Sequence, residues 1–209
     1  MTSDIKPTRS ELLQLKKKIR LAKSGHSMLK KKRDGLILEF FRALEKAKTV
    51  RSELVAEYII ALEKMNIARA LESDLQLKSI AMAVKDKPLI EIETKNIMGV
   101  RVPKVNKSGV QKSFLTRGYG FISGSIKIDE AALAYEKLVE KILDAAEYET
   151  ILKRLLQEID KTKRKVNALE KITIPRLERD ASYIRLRLEE MERENFARLK
   201  HIKKALAHA

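Results

Sequence analysis

The chain has 209 residues, 35% of them charged and 5% aromatic, no Trp, no Cys, and a formal net charge of +16. Ten Tyr and Phe rings are too few for two compact cores, so the apolar content must be mainly aliphatic and an elongated helical protein is expected. Without cysteine there is no disulfide framework, thiolate zinc site, redox pair or cysteine nucleophile, which suggests a reducing compartment.

The start, MTSDIKPTRSELL, lacks the apolar stretch of a secretion signal. No run of about 18 apolar residues occurs, so no membrane span is expected. The positive charge implies an acidic partner, whether nucleic acid, lipid or protein. Residues 1–48 carry 14 Lys and Arg against 5 Asp and Glu, and residues 150–209 carry 16 against 9. The stretch between them balances at 15 against 15, so the excess lies in two terminal arms.

Pro7 and a Thr8/Glu11 capping box predict a helix from about Arg9. Steps of three and four residues then connect Leu12, Leu15, Ile19, Ala22, His26, Leu29, Arg33, Leu36, Phe40, Ala43, Ala47, Val50 and Leu54. Eleven of these thirteen positions are apolar, the heptad pattern of a left-handed coiled coil. Beyond Leu54 the apolar residues Tyr58, Leu62 and Met65 suggest a one-residue phase slip, with the helix continuing to about Met82. Gly25 and Gly35 fall inside this helix, each costing about 1 kcal/mol against alanine. Either they are tolerated on an exposed face or something approaches the backbone closely there.

Residues 83–128 hold five of the seven glycines. Leu89–Thr94 and Val100–Val102 alternate with period two, and Asn106-Lys107-Ser108-Gly109 is a turn cluster, so a short β-hairpin with loops is expected. A second long helix is expected from 129 to 207, with Asp129 as its N-cap. Its seam reads Leu138, Ile142, Ala145, Leu152, Leu155, Ile159, Val166, Leu169, Leu177, Ala181, Ile184, Leu188, Met191, Asn195, Leu199, Ile202 and Leu206. Two helices of similar length, 9–82 and 129–207, each on the order of 110 Å, favour one antiparallel intramolecular pair. The fold class is therefore all-α dominated: a long antiparallel coiled coil of N- and C-terminal helices around a small β-hairpin insertion. Pro175, after the β-branched Ile172-Thr173-Ile174, breaks the helical rule and predicts a bend.

Catalytic chemistry is not legible. No phosphate-binding loop ends in Gly-Lys-Ser/Thr, and Gly118-Tyr119-Gly120-Phe121-Ile122-Ser123-Gly124 has the wrong spacing and context for a dinucleotide fingerprint. His26, His201 and His208 are too scattered for a metal site, and His26 occupies a core a position, where a polar residue sets register. Glu189, Glu190, Glu192 and Glu194 read as salt-bridge partners on a basic helix rather than general acids. No catalytic, cofactor-binding or metal-binding residue is assigned. Lys16-Lys17-Lys18 and Lys30-Lys31-Lys32-Arg33 could hold phosphates, but only Phe40 and Phe41 lie near them for base stacking. Nucleic-acid binding or a tethering role stays the alternative reading.

The stretches PTRSELLQLKKKIRLAKSGHSMLKKKRDGL, ETKNIMGVRVPKV, RGYGF and VNALEKITIPRLERDASYIRLRLEEMERENFARLK, in this order over nearly the whole chain, resemble the D subunits of archaeal and vacuolar-type rotary ATP synthases. The resemblance implies a non-catalytic central-stalk shaft, one copy per complex, peripheral on the cytoplasmic face of the membrane. Its expected partners are the catalytic and non-catalytic nucleotide-binding subunits (A and B), the small stalk component F and the adaptor component C, with no nucleic acid and no cofactor. The basic arms are then expected to face acidic patches inside the hexamer through Lys30, Lys31, Lys32, Arg193, Arg198, Lys200 and Lys203. The hairpin is expected to contact the stalk through Ile90, Ile92, Val100 and Val102, or to modulate hydrolysis.

Overall fold

The computed structural model describes residues 6–84, 90–107, 110 and 125–207. The Gly118–Gly124 motif, the RGYGF stretch, Leu89, Gly109 and His208 lie outside the described residues. The elements in order are α1 (Arg9–Leu71), α2 (Asp74–Ala83), β1 (Glu91–Ile97), β2 (Val100–Asn106), α3 (Ile126–Ala168), a π-helical turn (Leu169–Thr173) and α4 (Ile174–Ala207). The long N- and C-terminal helices pack against each other and a two-stranded antiparallel hairpin lies between them in sequence.

The chain divides into two compact units, Met1–Asp34 with Ile159–Ala209, and Gly35–Glu158. In the first unit the α1 amide of Glu11 donates to Thr8 Oγ1 at 3.2 Å, the cap the sequence predicts. The antiparallel register is marked by Arg9 to Glu192 at 2.6 Å and Lys23 to Glu178 at 2.7 Å. Leu15, Val166 and Ile184 are buried here.

The same unit holds Pro175. An interior proline lacks an amide proton, and its ring collides with the carbonyl four residues back. The helix absorbs this by one extra residue per turn over Leu169–Thr173, where the Ile174 amide donates five residues back to the Leu169 carbonyl. Thr173 Oγ1 donates to the Ala168 carbonyl at 3.2 Å, occupying an acceptor that the widened turn leaves open. The irregularity expected at Pro175 thus takes the form of a π-turn.

In the second unit α1 and α3 run antiparallel. Ala61 packs with Ala134 and Leu138, flanked by Leu54 and Tyr135. One heptad on, Ala68 packs with Ile128 and Ala131, flanked by Met65 from α1 and by Leu77 and Ile80 from α2. All thirteen seam positions from Leu12 to Leu54 are buried or half-buried. The expected phase slip after Leu54 is not observed. The seam continues to Ala61 and Ala68, both 0% exposed, and leaves Tyr58 and Leu62 at 49% and 42%. Small side chains permit close approach of two helices, so alanine occupies the seam while larger apolar neighbours stay outside it.

Three further expectations change. The first helix does not reach Met82: it stops at Leu71, and Ser73 begins α2 with a full capping box to Gln76. The helix expected from Asp129 starts at Ile126, behind Ser125, whose carbonyl accepts from the Ile128 amide. In the second seam Ile142 is exposed, Ile151, which the seam omits, is buried, and every seam position from Met191 onward is exposed.

The hairpin turn is Met98-Gly99, at φ 50 and 87, and of the expected turn cluster Asn106 is the last residue of β2 while Ser108 and Gly109 lie outside the described residues. Two-residue hairpin turns of this type require positive φ at both positions, which glycine adopts freely and methionine does not. The Met98 side chain reaches α1 at Gly35, where an added Cβ would sit 2.6 Å from its Cε and 3.1 Å from its Sδ. A close approach therefore accounts for Gly35, and the approaching group is the chain's own hairpin. Gly25 has nothing within 4 Å of such a Cβ and is simply tolerated.

Candidate functional site: charged arms and a clamped hairpin

The hairpin is held to α3 through β2. The Val105 amide donates to Glu147 Oε2 at 2.9 Å, and Arg154 donates through its guanidinium to the Arg101 carbonyl at 2.6 Å. Lys107 pairs with Asp144 at 2.5 Å just past the strand. Val102, 1% exposed, and Val100 turn inward beneath these clamps. Burying two such aliphatic side chains contributes roughly 1.5–3 kcal/mol each.

The four hairpin residues expected to contact the stalk therefore separate. Ile90 and Ile92 are exposed, whereas Val100 and Val102 are consumed by packing within the unit and offer no surface. Alternation alone cannot tell which face of a two-stranded sheet meets a helix. Glu147, Arg154 and Met98, which do the positioning, were missed by sequence reasoning. Only Met98 left a signal there, as the residue before Gly99 between two alternating runs.

Between the hairpin, α1 and α3 lies a cavity of about 490 Å³. Its wall carries Arg42, Lys46, Lys95 and Lys104 against Glu39, Glu45 and Glu147. Arg42 already binds Glu39 at 2.7 Å and Glu147 accepts the Val105 amide, so two of the three carboxylates are engaged. Elsewhere between α1 and α3, Lys141 bonds Glu53 at 2.5 Å. That hydrogen bond, with Asp144 and Glu57 adding their fields against some desolvation, holds the Lys141 ammonium above its ordinary pKa.

The second unit also presents unpartnered apolar side chains along α1. Val55, Tyr58, Ile59 and Leu62 follow one another at helical spacing and are all more than 40% exposed. A contiguous apolar stripe on an otherwise charged helix is the signature of an interaction surface.

In the first unit Lys30 and Lys31 are exposed and Lys32 is half-buried. Arg193, Arg198, Lys200 and Lys203 are all exposed, and Arg198 lies 3.9 Å from Glu194 along the helix. The structure does not gather these seven into one patch. Extending the register of Lys23 opposite Glu178 separates the two groups by about 30 Å of helix. Arg193 onward lies past the Arg9–Glu192 pair, where α4 exposes Phe196, Leu199, Ile202 and Leu206 as well as its cations. His26 Nε2 is buried and faces Glu170 Oε2 at 3.4 Å from the π-turn, in keeping with a register-setting position. Among the described residues no cluster of three or more His, Cys, Asp or Glu could hold a metal ion. No described helix is long and apolar enough to cross a membrane.

A family model for the D subunit of ATP synthase matches residues 11–204. A relative from Methanococcoides burtonii, an A-type ATP synthase D subunit, is 59% identical over 202 residues, covering 97% of this chain and 98% of the relative. The protein of the same name from Methanosarcina mazei is 56% identical over 96% of both chains. That from Haloquadratum walsbyi is 50% identical over 97% of this chain and 88% of its own. With two antiparallel long helices, a clamped hairpin and this match along almost its whole length, the chain belongs to the family of ATP synthase D subunits.

Proposed function

We propose that the chain is the central-stalk rotor subunit of an A-type ATP synthase, transmitting torque between the ion-driven membrane ring and the nucleotide-binding hexamer without catalysing a step itself. The observation that carries this reading is the family match over residues 11–204, joined to long helices that pack against each other. Two packed helices resist bending and torsion over a long span, which a shaft needs. Long, hydrated Lys and Arg side chains suit contacts that must slide past three equivalent surfaces, because they attract without a unique fit.

In this reading the arms carrying Lys30, Lys31 and Lys32, and Arg193, Arg198, Lys200 and Lys203, face acidic linings of the A and B subunits. The Val55–Leu62 stripe and the exposed hairpin residues Ile90 and Ile92 belong to the charge-neutral middle and face the small stalk component F. The adaptor component C joins the shaft to the ring, and the whole sits on the cytoplasmic face of the membrane. The asymmetry a rotor needs comes from the π-turn before Pro175 and the unpaired end of α4.

The test is reconstitution with charge reversal at Lys30, Lys31 and Lys32. Assembly and ATP-driven rotation weakened at moderate salt support the electrostatic contact; wild-type behaviour of both refutes it. Removing Glu91–Val105 is expected to alter binding of component F or the ATPase rate, and no change in either refutes the hairpin's role.

A further inference from the structure

The fold treats the two edges of the hairpin differently. Ile97 pairs with Val100 across the two-residue turn, and the register continues through Lys95 with Val102, Glu93 with Lys104 and Glu91 with Asn106. In such a hairpin these pairs exchange the ladder hydrogen bonds, and the residues between them turn their N–H and C=O groups outward. On β2 the outward residues are Arg101, Pro103 and Val105, and this edge is engaged by α3 at its two ends and lacks a donor in its middle. The Arg101 carbonyl accepts from Arg154, Pro103 has no N–H, and the Val105 amide donates to Glu147. On β1 they are Ile92, Thr94 and Asn96, and no described residue takes up their outward groups. Glu91 through Asn96 are all exposed, Ile92 at 67%.

We propose that this edge pairs with β1 of a second copy of the chain, antiparallel about a two-fold axis through Thr94. In that register Thr94 meets Thr94 and Ile92 meets Asn96 twice, so the outward groups of both strands exchange six N–H···O bonds. Glu93 then stands opposite Lys95 at both symmetry-related positions. The ladder permits only registers that keep outward residues opposed, so the pairing slides in steps of two. One step places Glu93 against Glu93, and the opposite step places Lys95 against Lys95. Directly opposed like charges are destabilising, so the strand's own charge order selects its own reverse as partner. Charges on an edge strand ordinarily deter pairing; here they are self-complementary. The closed, isologous contact extends β2-β1 into a four-stranded sheet. It concerns the chain outside an assembly and does not depend on the stalk reading.

The experiment is sedimentation equilibrium of the full chain at low salt and about 100 µM, a concentration suited to a small interface. The expected result is a species of twice 24.0 kDa that dissociates as salt rises. Thr94→Pro removes an outward amide at the same kind of position Pro103 already occupies, and is expected to raise the dissociation constant at least about 10-fold. Glu93→Lys and Lys95→Glu chains are each expected to be monomeric alone and to associate when mixed, which guards against misfolding of the proline variant. A monomeric unmodified chain, a dimer indifferent to Thr94→Pro, or charge variants that do not associate on mixing would each overturn the proposal.

Discussion

Ala61 and Leu62 are adjacent on α1, and they discriminate between two seams that differ by a one-residue phase slip. Ala61 is fully buried between Ala134 and Leu138, so Ala61→Leu must place three more carbons where two helices already touch. Overpacking of this kind costs about 1–3 kcal/mol. A fully buried leucine loses about 2–5 kcal/mol on truncation to alanine, but Leu62 is 42% exposed, so Leu62→Ala is expected to cost about 1 kcal/mol or less. For a chain of this length each kcal/mol lowers Tm by about 2–4 °C. Ala61→Leu is therefore expected to lower Tm by roughly 2–12 °C and Leu62→Ala by no more than about 4 °C, read by circular dichroism at 222 nm on heating. If Leu62→Ala proves the more damaging of the two, the phase slip is real and the alanine seam is wrong.

Gly35→Ala is expected to change stability little in the parent chain, because about 1 kcal/mol of helix propensity is offset by the push against Met98. In a Met98→Ala background the same substitution is expected to stabilise by about 1 kcal/mol, and additivity in that denaturation cycle would remove the Met98 contact as the reason for the glycine. Arg154→Met strips the Arg101 carbonyl of its donor, a loss of about 1 kcal/mol. Hydrogen exchange across β1 and β2 is expected to accelerate while α1 is unaffected; unchanged exchange would mean the clamp is idle. For Lys141 the raised pKa sets the sign: its pairing with Glu53 stabilises fully at neutral pH and is lost as pH climbs through that raised value. Both side chains are over a third exposed or close to it, so after solvent screening the coupling is about 0.5 kcal/mol. A double-mutant cycle with Lys141→Met and Glu53→Gln checks it, and a coupling that does not weaken as the ammonium is deprotonated at high pH would contradict the assignment.

The candidate surfaces were legible in unequal measure. Lysines and arginines in runs report themselves, because a long charged side chain on a helix has few places to go but solvent. Lys30, Lys31, Arg193, Arg198, Lys200 and Lys203 are accordingly exposed. Their separation along the helices was not legible, since it depends on which turn of one helix stands beside which turn of the other. The hairpin residues were read as one set because Ile90, Ile92, Val100 and Val102 share an alternating pattern. The structure divides them by strand: β2 lies under Glu147 and Arg154, and β1 has no such cover among the described residues.

By itself the sequence determined that this is a two-helix protein with a short β insertion, and where the seam of the first helix runs from Leu12 to Leu54. Heptad spacing is a local property of one helix, and it is imposed wherever a stripe of side chains must face a partner. The tertiary structure alone decided that Ala61 and Ala68 carry the seam onward, because the distance between two helices is not encoded in either one. It also decided how Pro175 is tolerated, through a π-turn in which the Ile174 amide reaches the Leu169 carbonyl and Thr173 Oγ1 the Ala168 carbonyl. The same holds for which edge of the hairpin is closed: a strand's free N–H and C=O groups become a surface or a buried contact only when another element does or does not arrive to meet them.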